Sequence, residues 1–335
     1  MKPALFEATE PAGAPSHRCA PSSITHQHIF TTLCTLISER GAADRGPALR
    51  VLDIGCGDGR MIDSLQRLAD ARFGPGQIEL YGFDIGEHGF RDGGQMQRTL
   101  CYLKARHPAI DWAQRIRLVS EGDDWGYPPG FFDFTLSNQV LEHVEDLRHF
   151  FDNMRVALAP GGQSIHVFPL GECMQEAHCH VPFSHWIKDF HYRVAWIALL
   201  SRMGIGRYRL DRTLLGHENV RRHALETAKF IERWTCYRSF GEIARLASER
   251  HMATSYHFTK DLFFAKLRQL MRRRAAARYR RWTPFGLEWL GFMVGRALSS
   301  STLVITPLSY DIGARIAAEK AYRDRLEGCE RSRAR

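Results

Sequence analysis

From residue 24 to residue 170 the chain alternates two hydrophobic rhythms. Short runs with few polar positions recur: "LRVLDIG" (49–55), "IELYGFDIG" (78–86), "RIRLVS" (115–120), "FFDFTLSNQ" (131–139) and "QSIHVFP" (163–169). Such runs predict strands buried on both faces of a sheet. Between them lie segments whose apolar residues return every three to four positions: 24–41, 61–71, 93–108 and 146–162. These predict amphipathic helices, one stopped at Gly41, one at Pro108 and one by Pro-Gly-Gly at 160–162. The βαβαβ order implies an α/β fold, a mostly parallel sheet sandwiched by helices with right-handed crossovers.

The rhythm breaks over 170–235, which is rich in His, Arg and aromatic residues and carries no strong strand pattern. It resumes with a helix at 239–251, a strand in "MATSYHFT" (252–259), a long helix from about 260 and a strand in "STLVITPL" (301–308). The expected organisation is a mobile arm (1–23), a core (24–169), an α-rich insertion over the sheet's ligand edge (170–235), completion of the sheet (236–310) and a C-terminal helix or tail (311–335).

Among 335 residues, 46 are Lys or Arg and 37 are Asp or Glu, for a net charge of +9. The excess is local. Residues 266–281 hold eight cations and no acid, so the other 38 cations nearly balance the acids. The segment 260–282, read as one helix capped by Thr259, is followed by the apolar "FGLEWLGFMVGRAL" (285–298). The first reading of this stretch is the solvated face of a core helix; among partners, a basic stretch beside apolar residues suits an anionic membrane surface through 266–293, with RNA phosphate after it. Glu288 and Arg296 interrupt the most apolar stretch, which excludes a span there. The eight cysteines form no C-x-x-C pair and the N-terminus has no apolar h-region, so a reduced cytoplasmic protein is expected, at most peripheral to the inner face of a membrane.

Three glycines follow the first strand as Gly55, Gly57 and Gly59, with Asp53 two positions ahead. A dinucleotide loop reads G-x-G-x-x-G/A, but Arg60 stands where its third small residue belongs. The order here is D-x-G-x-G-x-G. It resembles motif I of class I S-adenosylmethionine-dependent methyltransferases, whose sheet has seven strands with the last one antiparallel. "FFDFTLSNQVLEHV" (131–144) and "LAPGG" (158–162) resemble that family's fourth strand and following turn. The resemblance implies that S-adenosyl-L-methionine binds over Asp53, Gly55, Cys56, Gly57 and Gly59. Asp84, with Ile85 after it, would hold the ribose diol, and Asp123 or Asp124 the adenine amino group. Asn138 and Gln139 would lie beside the methyl group.

For catalysis, His143 in "LEHV" is one candidate. His178 and His185 in "EAHCHVPFSHW" (176–186), a stretch loosely similar to a lid segment in some bacterial methyltransferases of glycans and lipids, are the others. Cys173, His178, Cys179, His180 and His185 match no standard zinc spacing, and no metal is expected. The function expected is methyl transfer, on oxygen, to a small molecule, glycan or lipid precursor. The alternatives are an RNA or protein methyltransferase using the basic helix, or a non-catalytic scaffold. The oligomeric state is left open.

Overall fold

The structure is a computed structural model that describes residues 23–40, 48–85, 94–214, 216, 219–271, 278–279 and 285–308. The N-terminal arm through residue 22, the tail 311–335 and Arg272, Arg273 and Arg274 of the basic stretch lie outside the described residues.

Seven strands form one sheet: β1 (Leu49–Ile54), β2 (Ile78–Ile85), β3 (Ile116–Val119), β4 (Phe132–Asn138), β5 (Leu158–Phe168), β6 (Met252–Ser255) and β7 (Ser301–Pro307). Their order is β3-β2-β1-β4-β5-β7-β6. The first five pair in parallel, and β7 runs antiparallel to both β5 and β6. The helices are α1 (Ile24–Glu39), α2 (Arg60–Phe73), α3 (Gln95–Arg106), α4 (Trp112–Arg115), α5 (Leu147–Ala157), α6 (Phe190–Arg202), α7 (Tyr208–Leu214), α8 (Val220–Trp234), α9 (Phe240–Ser248), α10 (Thr259–Leu270) and α11 (Phe285–Leu298).

Alternation along the strands divides the core in two. Val51, Ile165 and Val304 point to one face, where Leu33 of α1, Leu65 of α2 and Leu262 of α10 cover them. Leu52, Phe168 and Ile305 point to the other, under Met154 of α5 and Leu246 of α9. The insertion has a small core of its own, built from Val181 and residues of α6 and α8 such as Ile197, Leu200, Ala224 and Ile231.

Two readings of local pattern change. Helix α5 ends at Ala157, so Pro160, Gly161 and Gly162 fall within β5, where the register with β4 shifts. The basic segment is not one described helix from 260 to 282. Thr259 is the first residue of α10 and Phe258 its cap, and α10 ends at Leu270. Helix α11 packs back on it, with Lys260 paired to Glu288. Among the described residues, no helix is long and apolar enough to cross a membrane.

Candidate active site

Chain order reverses between β1 and β4, so the loops at their carboxyl ends diverge and leave a crevice. Gly55, Gly57 and Gly59 leave β1 with φ of 71°, 56° and 78°. At Gly55 a Cβ would stand 2.7 Å from Val140 Cγ2, so both torsion and space require glycine. The loop delivers the chain to α2, whose first turn lines the crevice through Arg60 and Met61, with the Arg60 N–H donating to Asp58 Oδ1. A cavity of about 920 Å³ lies there, large enough for a nucleoside-sized ligand together with a small acceptor.

The cavity is lined by Asp53, Gly55, Cys56, Gly57, Asp84, Ile85, Asp123, Asn138, Gln139 and His143. Gly59 sits behind it, capping α2, and Asp124 is not among the lining residues. Asp84 Oδ2 accepts the Gly57 N–H at 2.6 Å, and Oδ1 accepts the Ile85 N–H at 2.7 Å. The acid closing β2 thus ties its strand to the glycine loop. Asp53 is buried, and neither carboxyl oxygen has a hydrogen-bond partner. Burial, with Asp58 nearby, pushes its carboxyl well above the usual range. Asn138 Oδ1 is buried without a partner as well, a polar atom left for a ligand on the cavity wall. Gln139 takes a left-handed φ of 57° and donates to Ser300 Oγ at 2.9 Å. His26 of α1 also lines the cavity; nothing in the spacing of its helix had singled it out.

Beyond Gln139 a single 3-10 turn, Leu141–His143, carries the chain to α5. His143 Nδ1 lies 2.5 Å from the Trp234 carbonyl. Its Nε2 faces the Nε2 of His178 at 3.2 Å. Phe230 packs against both rings. His178 Nδ1 lies 2.8 Å from Glu176 Oε1. The Tyr237 hydroxyl and the N–H groups of His178 and Cys179 also donate to Glu176. Burial pushes the Glu176 carboxyl up, but these donors outweigh it and bring it down to about 2. Glu142 is also buried, and burial pushes its carboxyl up to about 8.

His143 and His178, 35 residues apart in the chain, therefore meet at the edge of the cavity. His185 sits one layer further out. It packs at a tilt against Tyr237 at 4.6 Å between ring centroids and approaches the Gly171 carbonyl, and it is not among the residues lining the cavity. Glu142, Glu176 and Tyr237 were not singled out in the sequence. The signal available for Glu142 was an acid wedged between Leu141 and His143 in a buried run.

A glycine loop at the switch point of a seven-stranded sheet, with an acid closing the second strand onto it, defines the cofactor half of a class I S-adenosylmethionine-dependent methyltransferase. The chain matches the family described as "Methyltransferase domain" over residues 25–223, more than half its length, and belongs to it. It is 29% identical over 151 residues to a ubiquinone biosynthesis O-methyltransferase of Bradyrhizobium sp. (strain ORS 278), covering 44% of this chain and 51% of that one. It is 32% identical over 114 residues to the enzyme of the same name from Bradyrhizobium diazoefficiens, covering 34% and 37%. The chain thus spans about half, or less, of these relatives' length. Among solved structures, geranyl diphosphate C-methyltransferase from Streptomyces coelicolor superposes with a TM-score of 0.42 at 13% identity, over 85% of this chain and 76% of that one.

Proposed function

We propose that the protein transfers the methyl group of S-adenosylmethionine to a hydroxyl oxygen of a small molecule, such as a glycan or lipid precursor, beneath a lid formed by residues 170–235. The observation that carries this reading is the meeting of His143 and His178 where the insertion joins the cavity wall. In the proposed complex Asp84 takes the ribose diol and Asp123 the adenine amino group. The N-terminus of α2 takes the cofactor's carboxylate. Asn138 and Gln139 flank the methyl group.

The reaction is an in-line displacement. A lone pair on the acceptor oxygen forms the O–C bond while the C–S pair returns to sulfur. Alignment of two bound reactants can remove roughly 7–11 kcal/mol of barrier. A neutral hydroxyl is a poor nucleophile, so the histidine pair beside it supplies the activation, a contribution of about 10²–10⁴-fold if it acts as a general base. The names of the two Bradyrhizobium relatives, both O-methyltransferases, also favour oxygen as the acceptor atom.

The test has two stages. Calorimetry should find S-adenosylhomocysteine bound with micromolar affinity, roughly 8 kcal/mol, and no NAD binding. Labelled S-adenosylmethionine offered with phenols, glycosides and lipid alcohols should then give alkali-stable methyl ethers. Transfer to nitrogen, to RNA or to protein alone would reject the reading.

A peripheral membrane position at the cytoplasmic face is part of the proposal. Trp289, Leu290 and Met293 of α11 are exposed, and the eight cations of 266–281 precede them in the sequence.

A further inference from the structure

His143 and His178 confront each other in an arrangement that two neutral imidazoles do not hold alone. The Trp234 carbonyl only accepts, so His143 Nδ1 carries the hydrogen of that 2.5 Å contact. Glu176 is a buried carboxylate that receives three other donors, so His178 Nδ1 carries the hydrogen of its 2.8 Å contact. Both Nε2 atoms then present lone pairs, and these point at each other across 3.2 Å. Beside them is Glu142, 1% exposed, with neither carboxylate oxygen hydrogen-bonded. A ligand atom from each of the three residues lies within 4.8 Å of the others.

A proton shared between the imidazoles would relieve their repulsion but leave Glu142 unsatisfied. One divalent cation satisfies all three groups. We infer that Glu142, His143 and His178 form a binding site for a divalent transition-metal ion, zinc above all, at the acceptor side of the cavity.

The 3.2 Å between the nitrogens is close to the edge of a tetrahedron about zinc, roughly 3.3 Å for Zn–N bonds of about 2.0 Å. Two imidazoles and one carboxylate suit zinc, manganese, iron or cobalt, whereas magnesium and calcium favour all-oxygen sets. Each imidazole is already oriented through its other nitrogen, one by a carbonyl and one by a carboxylate, as histidine ligands of metals usually are. Phe230 provides an apolar wall over both rings. Three protein ligands leave coordination open, and His143 places that opening toward the cavity.

The catalytic use of the site rests on the O-methylation reading; the site itself does not. With a cation held there both imidazoles are ligands and no longer the base: an acceptor hydroxyl bound at the open position would lose its proton to bulk water near neutral pH, because the cation lowers its pKa. The oxygen then forms the O–C bond, the C–S bond breaks, and sulfur keeps the electron pair.

The experiment uses the full chain purified without metal-affinity resin, stripped with chelator and titrated with zinc, cobalt and manganese. Expected are one-to-one zinc binding, a cobalt visible spectrum showing imidazole ligation, and a rise in melting temperature with zinc. His178→Ala and Glu142→Gln should each weaken zinc binding by about 100-fold or more, beyond the 10–100-fold usual for loss of an outer hydrogen-bond partner. S-adenosylhomocysteine affinity should stay within a few-fold, which also shows that the variants fold. A wild-type protein that binds S-adenosylhomocysteine but none of the three ions overturns the metal site and leaves the methyltransferase reading standing. Equal zinc affinity in wild type and both variants overturns it too. Zinc bound through these residues without transfer to any hydroxyl supports the site and removes the O-methylation reading.

Discussion

Replacing Asp84 by Ala separates cofactor recognition from loop architecture. Its carboxylate accepts backbone N–H groups from Gly57 and Ile85 at 2.6 and 2.7 Å and is 4% exposed. Hydrogen bonds to a charged acceptor contribute about 1.5–3 kcal/mol each. Two such bonds set an upper bound of about 3–6 kcal/mol, and water entering from the adjoining cavity can recover roughly half of it. The expected loss of folding stability is therefore about 1.5–3 kcal/mol. The ribose contact proposed for the same carboxylate adds a separate loss of about 1.5–3 kcal/mol in S-adenosylhomocysteine binding, or 10- to 150-fold in Kd. Denaturant unfolding and calorimetry read the two losses independently. Asp84→Asn should fall between wild type and Ala in both, since it keeps one acceptor oxygen and loses the charge. A variant destabilised by about 1.5–3 kcal/mol that bound the cofactor as tightly as wild type would show that Asp84 only braces the loop, and the ribose assignment would fall.

Gly55→Ala forces a side chain to a φ of 71° and within 2.7 Å of Val140 Cγ2; it should cost about 1–3 kcal/mol and weaken cofactor binding, and Val140→Ala should restore part of the loss, with calorimetry as the check. His28 and His166 are fully buried and burial pushes both down to about 3. The unfolded chain therefore takes up protons below about pH 6.5 that the native state refuses, so stability present above that pH falls by about 1.4 kcal/mol per pH unit for each histidine, down to about pH 3. Urea melts across that window, with His166→Asn removing about half of the slope, test this; a flat profile contradicts it. Vesicle flotation should recover the protein with anionic lipid at low salt and not at high salt. Arg272→Gln, Arg273→Gln and Arg274→Gln combined, or Trp289→Ala, should release it without changing cofactor affinity, whereas salt-dependent RNA binding without flotation would move the basic segment to the nucleic-acid alternative.

What the chain discloses about itself is local. Each strand run is a single short window, and the glycine loop and Asp84 lie within one βαβ unit, so periodicity with glycine spacing reaches that far. The acceptor side draws on contacts that no window contains. His143 meets His178 across 35 positions and Trp234 across 91. Tyr237 reaches Glu176 across 61. Within "EAHCHVPFSHW" His178 finds only Glu176; its other ring nitrogen faces His143, from the turn after β4. The basic stretch is a second case: helical spacing continues in the sequence past Leu270, whereas α10 ends there with Met271 as its C-cap and α11 packs on the part from Thr259 to Leu270.

Both ends of the insertion are fastened to the core at neighbouring points, and Met174 adds a bond to the Ala297 carbonyl of α11. The Cys236 N–H reaches the Glu142 carbonyl at 2.6 Å, Trp234 accepts from His143, and Gly171 donates to the Arg238 carbonyl at 2.8 Å. The segment between these fastenings carries its own apolar nucleus in α6 and α8. It is therefore an exchangeable cassette. Its departure and return points adjoin each other, so a replacement of different length or shape can be seated there without touching the glycine loop or Asp84. Grafting such cassettes onto this sheet is a route to new acceptors on an unaltered cofactor platform, provided that the graft returns a partner for His143.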